Sequence, residues 1–390
     1  MTTTTPTDAG PAPAPPPTDA PPRPPFGGRF VPEPLVPALI ELDRAWSAAR
    51  QDPLFAAELT ALLDRFAGRP TPLHRAARFS ELAGHPVLVK REDLLHSGGH
   101  KITNALGQAL LARRLGRERL IAESASGQHG IATATAAAQL GLACTVHLAG
   151  PATGAAAARI RMLGAEVVPV AGAEDGVRGA FAQALRDWMA DGERAHFLPG
   201  SCVGPAPLPA IVADLQAVIG RETRAQLRAD GQWPARVVAC VGGGANAWGI
   251  FSAFLEDDDV ELVGVEAGDG WTAPLTSGAR AGILHGARVP VIRDRDGHAV
   301  PRRSIAEALR YPAAGPQHGE LRDRGRARYV AVDDARAVAA YRAFARSEGI
   351  LPAIEAAHAL AWVLEHPSPL TVVCLSGRGG KDLARVEAIA

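Results

Sequence analysis

A lysine stands at position 101 in the stretch HSGGHKITNALGQAL, directly after two glycines and a histidine and at the start of an Ala/Leu-rich helical run. The N-terminal end of a helix carries partial positive charge, which disfavours an ammonium there and favours the neutral amine. A neutral lysine amine attacks carbonyl carbon and is held as an imine, whereas an arginine never loses its proton. Of the 41 basic residues only Lys90, Lys101 and Lys381 are lysine, so arginine is the default cation and each surviving lysine is a candidate for amine chemistry. The alternative for any one of them is an exposed lysine at a helix edge.

Three further stretches carry side chains of complementary type. VGGGAN at 241–246 places Gly242, Gly243 and Gly244 between a strand-like run and Asn246. Convergent N–H groups at such a turn suit a lone phosphate; the pattern matches neither GxGxxG nor GxxxxGK[ST]. A tight turn with nothing bound is the other possibility. AESASGQHG at 122–130 puts Glu123 at the end of an apolar strand, followed by Ser124, Ala125, Ser126, Gly127, Gln128 and His129. A carboxyl in a dry pocket has its pKa raised and transfers protons near neutrality, while the small residues after it offer N–H groups to a substrate carboxylate. Glu123 as a helix cap or ion-pair partner is equally compatible with the stretch alone. SGRGG at 376–380 offers the Ser376 hydroxyl at another strand end, to hydrogen-bond a neutral ring nitrogen or to cap the following helix. An imine-forming lysine, a phosphate cradle, a ring-nitrogen partner and an acid/base together fit pyridoxal 5'-phosphate.

The elements that must position these groups repeat one plan of apolar strand, Gly-rich loop and helix, at 119–141, 235–256 and 370–388. Strands alternating with helices predict an α/β fold with mostly parallel sheets, in which ligands bind beyond the carboxyl ends of the strands. Helical periodicity over 34–66 breaks near Asp52–Pro53, and a helix is predicted over 101–115. Residues 1–25 are rich in Thr, Pro and Ala and predict a disordered tail. Zero formal net charge argues against nucleic acid or an anionic membrane surface as partner. No run of 18 apolar residues and no secretory signal appear, and the four cysteines form no CxxC, so a cytoplasmic protein with buried free thiols is expected.

The ordered set GGRFVPEPLVPAL, RPTPLHRA, LVKREDLLHSGGHKITNALGQAL, GQHGIATATAAA, RMLGAEVVPV, VVACVGGGANA, YPAAGPQHGEL, SEGILPAIEAAHALA and LSGRGGKD resembles the β subunit of tryptophan synthase, a fold-type II pyridoxal-phosphate enzyme. The resemblance runs from about Phe26 to Asp382 and implies two three-layer αβα domains. On that pattern 26–66 and 216–390 form the domain with the phosphate loop, and 67–215 the domain with Lys101, Glu123 and the mobile communication region. Lys101 is then the Schiff-base lysine, His100 flanks the phosphate, and Gly242, Gly243, Gly244 and Asn246 hold it. Ser376 faces the pyridine nitrogen, and Glu348 lies near the ring. Glu123 assists loss of the serine hydroxyl, and Asp296 closes over the bound amino acid.

The implied reaction is β-replacement, in which L-serine loses water to give an aminoacrylate and indole adds to give L-tryptophan. A homodimer, a monovalent cation and an α-subunit partner are implied as well, and no other metal ligand is assigned. The sequence departs from the family in its substrate loops. ESASGQHG stands where ETGAGQHG is usual, GGGAN replaces GGGSN, GPAPLP replaces GPHPYP, GRGGKD replaces GRGDKD, and Arg310 takes the place of an acid. The communication region AGPATGAAAARIRML is also altered, which argues against the α subunit and leaves an indole-like nucleophile as open as indole. The enzymatic alternative is another fold-type II reaction, such as serine/threonine deamination or β-replacement with a different nucleophile. A decayed paralogue that activates an α subunit is the non-enzymatic one, and retention of Lys101 and Glu123 speaks against it.

Overall fold

The computed structural model describes residues 25–150, 153–170, 176–300 and 302–389. The tail expected over 1–25 lies, apart from its last residue, outside them. Strands run β1 Leu73–Arg75, β2 Val87–Lys90, β3 Arg119–Ser124, β4 Ala143–Ala149, β5 Glu166–Val170, β6 Ala195–Phe197, β7 Arg236–Cys240, β8 Glu261–Ala267, β9 Ala281–Leu284, β10 Ala287–Pro290, β11 Ala327–Val332 and β12 Thr371–Cys374. They form a six-stranded sheet in the order β1-β2-β12-β7-β8-β11, a four-stranded sheet in the order β5-β4-β3-β6 and the hairpin β9-β10. Every pairing in the two larger sheets is parallel except β1 with β2. The α/β class with mostly parallel sheets therefore follows the sequence pattern.

The central strands are mostly apolar because both of their faces are covered by helices. β2 and β12 are buried at every residue, with one core of Phe79, Val89, Val373 and Leu360 on one face and a second of Val237, Ile250, Phe254 and Val372 on the other. The four-stranded sheet is sandwiched in the same way, by a core around Ile102, Leu106, Leu120 and Ile131 and another around Leu39, Trp46, Ile121 and Phe197. Two three-layer units result.

Their chain composition differs from the expected grouping. Strands β1 and β2, expected beside Lys101's sheet, instead join the six-stranded sheet, where β2 pairs with β12 and β1 with β2, because VLVK is buried at every residue and takes an interior place. The helix Val36–Ala49, expected with the phosphate-loop unit, buries Leu39, Leu42 and Trp46 against the face of the four-stranded sheet. The break after it falls as predicted: Asp52 caps the helix Pro53–Leu62 through the Leu54 N–H at 2.9 Å. The four cysteines are free and buried. No helix among the described residues is long and apolar enough to cross a membrane.

Candidate active site

The carboxyl ends of β3, β7 and β12 converge on one cavity of about 140 Å³. Its lining includes His100, Lys101, Glu123, Ser124, Ala125, Ser126, Gln128, His129, Gly242, Gly243, Gly244, Asn246 and Ser376. Four stretches separated by up to 276 residues therefore meet as their chemistry required.

Lys101 opens the helix Lys101–Arg114, and His100 precedes it as the cap residue. His100 holds this helix start against the loop after β12. Its N–H and its Nδ1 both donate to the Ser376 carbonyl, at 3.1 and 2.9 Å, and its own carbonyl accepts from Gln216 Nε2 at 3.1 Å. Burial pushes the His100 pKa down to about 3, so the ring is neutral. Lys101 Nζ bonds the carbonyl of Gly200. Burial lowers the lysine pKa, and the nearby Glu123 carboxyl opposes that shift. The other two lysines do different work. Lys90 is fully buried and bonds Thr71 O, Glu222 and Gln226, while Lys381 bonds Glu355 and Asp382.

Glu123 sits on β3, and its Oε1 accepts from the Gly200 N–H at 3.2 Å. Its Oε2 is buried and has no hydrogen-bond partner in the protein. Desolvation drives its pKa up to about 7. His129 Nε2 donates to Leu198 O at 2.9 Å, leaving Nδ1 without a partner. Two buried side-chain atoms of cavity-lining residues are thus left without a protein partner.

The glycine loop is shaped by its packing as well as by any ligand. A side chain on Gly242 would meet Ala308 O at 2.1 Å, and Gly244, at φ 92°, caps the helix Ala245–Phe251 with His318 packed where its Cβ would be. Asn246 turns its amide back onto the Cys240 carbonyl at 3.0 Å. Ser376 Oγ faces the Cys240 thiol at 3.6 Å. Burial raises that thiol to about 11, so the hydroxyl's neighbour is neutral, as suits a partner for an unprotonated ring nitrogen.

Three expected site residues stand elsewhere. Glu348 ends the helix Asp334–Glu348, where Oε1 accepts from Phe79 N at 2.7 Å and Oε2 lies 3.6 Å from His74 Nε2. The glutamate of this segment that does line the cavity is Glu355, seven residues on, paired with Lys381 at 2.9 Å. Its signal was present: it is the one charge inside the apolar run ILPAIEAAHALAW. Asp296 lies in an exposed turn, its N–H donating to Asp294 Oδ1 at 3.0 Å, because the bridge between Arg293 and Ala299 folds the segment into a hairpin away from the cavity. Gly127 does not line the cavity; it caps the helix Gln128–Leu140 at φ 83° and lets Ala156 approach to 2.4 Å of a Cβ position.

Gly200 and Ser201 also line the cavity, between β6 and the loop beyond it, and nothing in their local sequence marks them. Their role is visible only once the two catalytic candidates are seen bonded to the same glycine.

A family model described as pyridoxal-phosphate dependent enzyme matches residues 65–376. Among solved structures, a threonine deaminase from T.th. is 25% identical, with a TM-score of 0.67 over 83% of this chain and 96% of that one. A fungal L-serine ammonia-lyase from Rhizomucor miehei is 20% identical at a TM-score of 0.65, covering 82% of this chain and 96% of that one. Maize serine racemase is 16% identical at 0.66, covering 85% and 94%, and with the ammonia-lyase it shows a shared fold.

Proposed function

We propose, given that this chain belongs to the pyridoxal-phosphate dependent enzyme family, that it catalyses β-replacement on L-serine with indole or an indole-like nucleophile, as in a tryptophan synthase β subunit. The cavity fits the cofactor: a glycine loop for the phosphate, a lysine with a lowered pKa and a hydroxyl beside a neutral thiol. When bound, pyridoxal phosphate supplies the electron sink that lets bonds at the substrate's Cα and Cβ break.

The chain's own residues move the protons. Lys101, whose burial favours the neutral amine, takes the proton from Cα. The N–H groups and hydroxyls of Ser124, Ala125, Ser126 and Gln128 hold the substrate carboxylate. Glu123 gives a proton to the departing β-hydroxyl and then takes one from the incoming aromatic nucleophile, two transfers that need a pKa near neutrality. With the cofactor in place, the Ser376 hydroxyl would hydrogen-bond the ring nitrogen without giving up its proton, which favours elimination over racemisation. The observation that carries this proposal is the buried, partnerless Oε2 of Glu123.

A second reading, deamination of serine or threonine, draws support from the likeness to threonine deaminase. The two part on one experiment. Protein loaded with pyridoxal phosphate and L-serine is followed for pyruvate, with and without indole. β-Replacement predicts an amino-acid product and suppressed pyruvate when indole is added; pyruvate released at the same rate in both, with no new amino acid, sinks it in favour of deamination.

A further inference from the structure

Among the described residues Arg302 is the bulkiest fully buried side chain, and its guanidinium lies between the ends of two central strands. Its Nη1 donates to the carbonyl of Val241 at 3.2 Å, one residue before the glycine loop. Its Nη2 is 3.2 Å from Oε1 of Glu266, and neither side chain reaches solvent. Glu266, near the end of β8, uses its other oxygen to accept from Leu275 N, Thr276 N and Thr276 Oγ1 at 3.1, 2.7 and 2.8 Å. The pair is under-bonded, for Arg302 Nε and Nη2 and Glu266 Oε1 have no aligned hydrogen-bond partner in the protein. A buried ion pair is weak evidence for stability, since packed apolar groups often serve as well. What sets this one apart is its address.

Arg302 also begins the cavity wall. Its N–H bonds Arg310 O at 3.3 Å, and between them Glu307, Ala308 and Leu309 line the cavity, with Ala308 O pressed against Gly242. One cation therefore ties the strand end that feeds the glycine loop, the neighbouring strand end and the wall facing the loop. Val241 O and Glu266 Oε1 are oxygens of the kind that ligate a small cation, and here a side chain of unit positive charge lies against both.

We propose that Arg302 is a positioning residue, a built-in monovalent cation that fixes the Val241 carbonyl and thereby sets Gly242–Gly244 for a phosphate without a cation drawn from solution. The inference rests on the glycine loop being the phosphate cradle. Arg302→Met removes the guanidinium and its charge, keeps the apolar stem, and leaves the head-group space open to a small cation. Wild-type affinity for pyridoxal phosphate, by absorbance titration, is expected to be equal in potassium and in choline buffers. R302M is expected to bind about tenfold more weakly in choline, the loss of one charge-assisted hydrogen bond, and to recover with potassium or guanidinium ion. Pyridoxal, which lacks the phosphate, should bind both proteins alike.

Because a lone buried Glu266 endangers folding, the double variant Arg302→Met/Glu266→Gln provides a chain with no unpaired charge. It should fold and still bind pyridoxal phosphate about tenfold more weakly than wild type. Wild-type affinity in the folded double variant overturns the proposal, as do equal losses for pyridoxal and its phosphate, or an R302M that neither cation restores. A wild-type protein that holds pyridoxal as tightly as its phosphate would first sink the cradle assignment, and this inference with it.

Discussion

Lys101 and Glu123 meet on a single residue. The carbonyl of Gly200 accepts from Lys101 Nζ, and its N–H donates to Glu123 Oε1 at 3.2 Å. The amine comes from a helix start and the carboxyl from a strand end. One glycine sets their separation and aligns both toward the cavity.

Gly200 has no room for a side chain, since a Cβ would lie 2.4 Å from the His129 ring. Gly200→Ala must shift either the peptide or the histidine, and the peptide carries both proton-handling groups. Misplacement of this kind costs on the order of 100-fold in rate. The expected outcome is a turnover loss of about that size with pyridoxal-phosphate affinity changed far less, because the glycine loop is untouched. An equal loss in cofactor affinity would mean that Gly200 supports the pocket as a whole.

Glu123 makes stability depend on pH in a direction opposite to most carboxylates. Burial raises its pKa from 4.5 to about 7, so between those values the folded protein keeps a proton that the unfolded chain has released. The stabilisation is full below the unfolded pKa and is lost as pH rises through the folded one, a fall of roughly 3 kcal/mol. Glu123→Gln removes this slope. By urea denaturation of the cofactor-free protein, E123Q should match wild type at about pH 4.5 and exceed it by roughly 3 kcal/mol at about pH 8. Turnover should fall about 100-fold or more, the usual worth of a general acid/base. A difference in stability that does not change with pH would remove the buried, protonated Glu123 from the account.

Much of this was legible before any coordinates. Strand-loop-helix units placed the glycine loops at strand ends, and a parallel sheet sends strand ends to one rim. The excess of arginine singled out three lysines, of which Lys101 alone turns its amine to Gly200 and the unpaired Glu123. Two expected residues stand away from the cavity for one cause. Glu348 and Asp296 rest on motif position alone, yet a glutamate at a helix C-terminus is spoken for by the Phe79 N–H, and an aspartate in a tight turn by its own hairpin. The membership of β1 and β2 was hidden for another reason: periodicity marks a buried strand but says nothing of which sheet receives it. Gly200 was invisible because its function is a pair of backbone bonds to residues 99 and 77 positions away.

The cavity wall holds a second pair whose loss should show in stability. Glu355 lies against Lys381, which also bonds both oxygens of Asp382, at 2.7 and 2.9 Å. Asp382 Oδ2 in turn accepts from the Ile354 N–H at 3.0 Å, so the lysine joins the start of the helix Ile354–Glu365 to the loop after β12. Two carboxylates around one ammonium are stable only while the ammonium is present. It holds the Glu355 pKa down against burial, whereas Asp382, itself desolvated and facing a second carboxylate, is pushed up. Lys381→Met leaves two buried acids facing each other, a loss of about 3–5 kcal/mol for breaking such a pair. The acids would respond by protonating, so K381M should recover stability as pH falls from neutrality, where wild type should not. Adding Glu355→Gln to K381M relieves one charge and should return at least half of the loss. Denaturation of the three proteins at about pH 5 and about pH 8 measures this, and a K381M as stable as wild type at both would show that the triad only fills space.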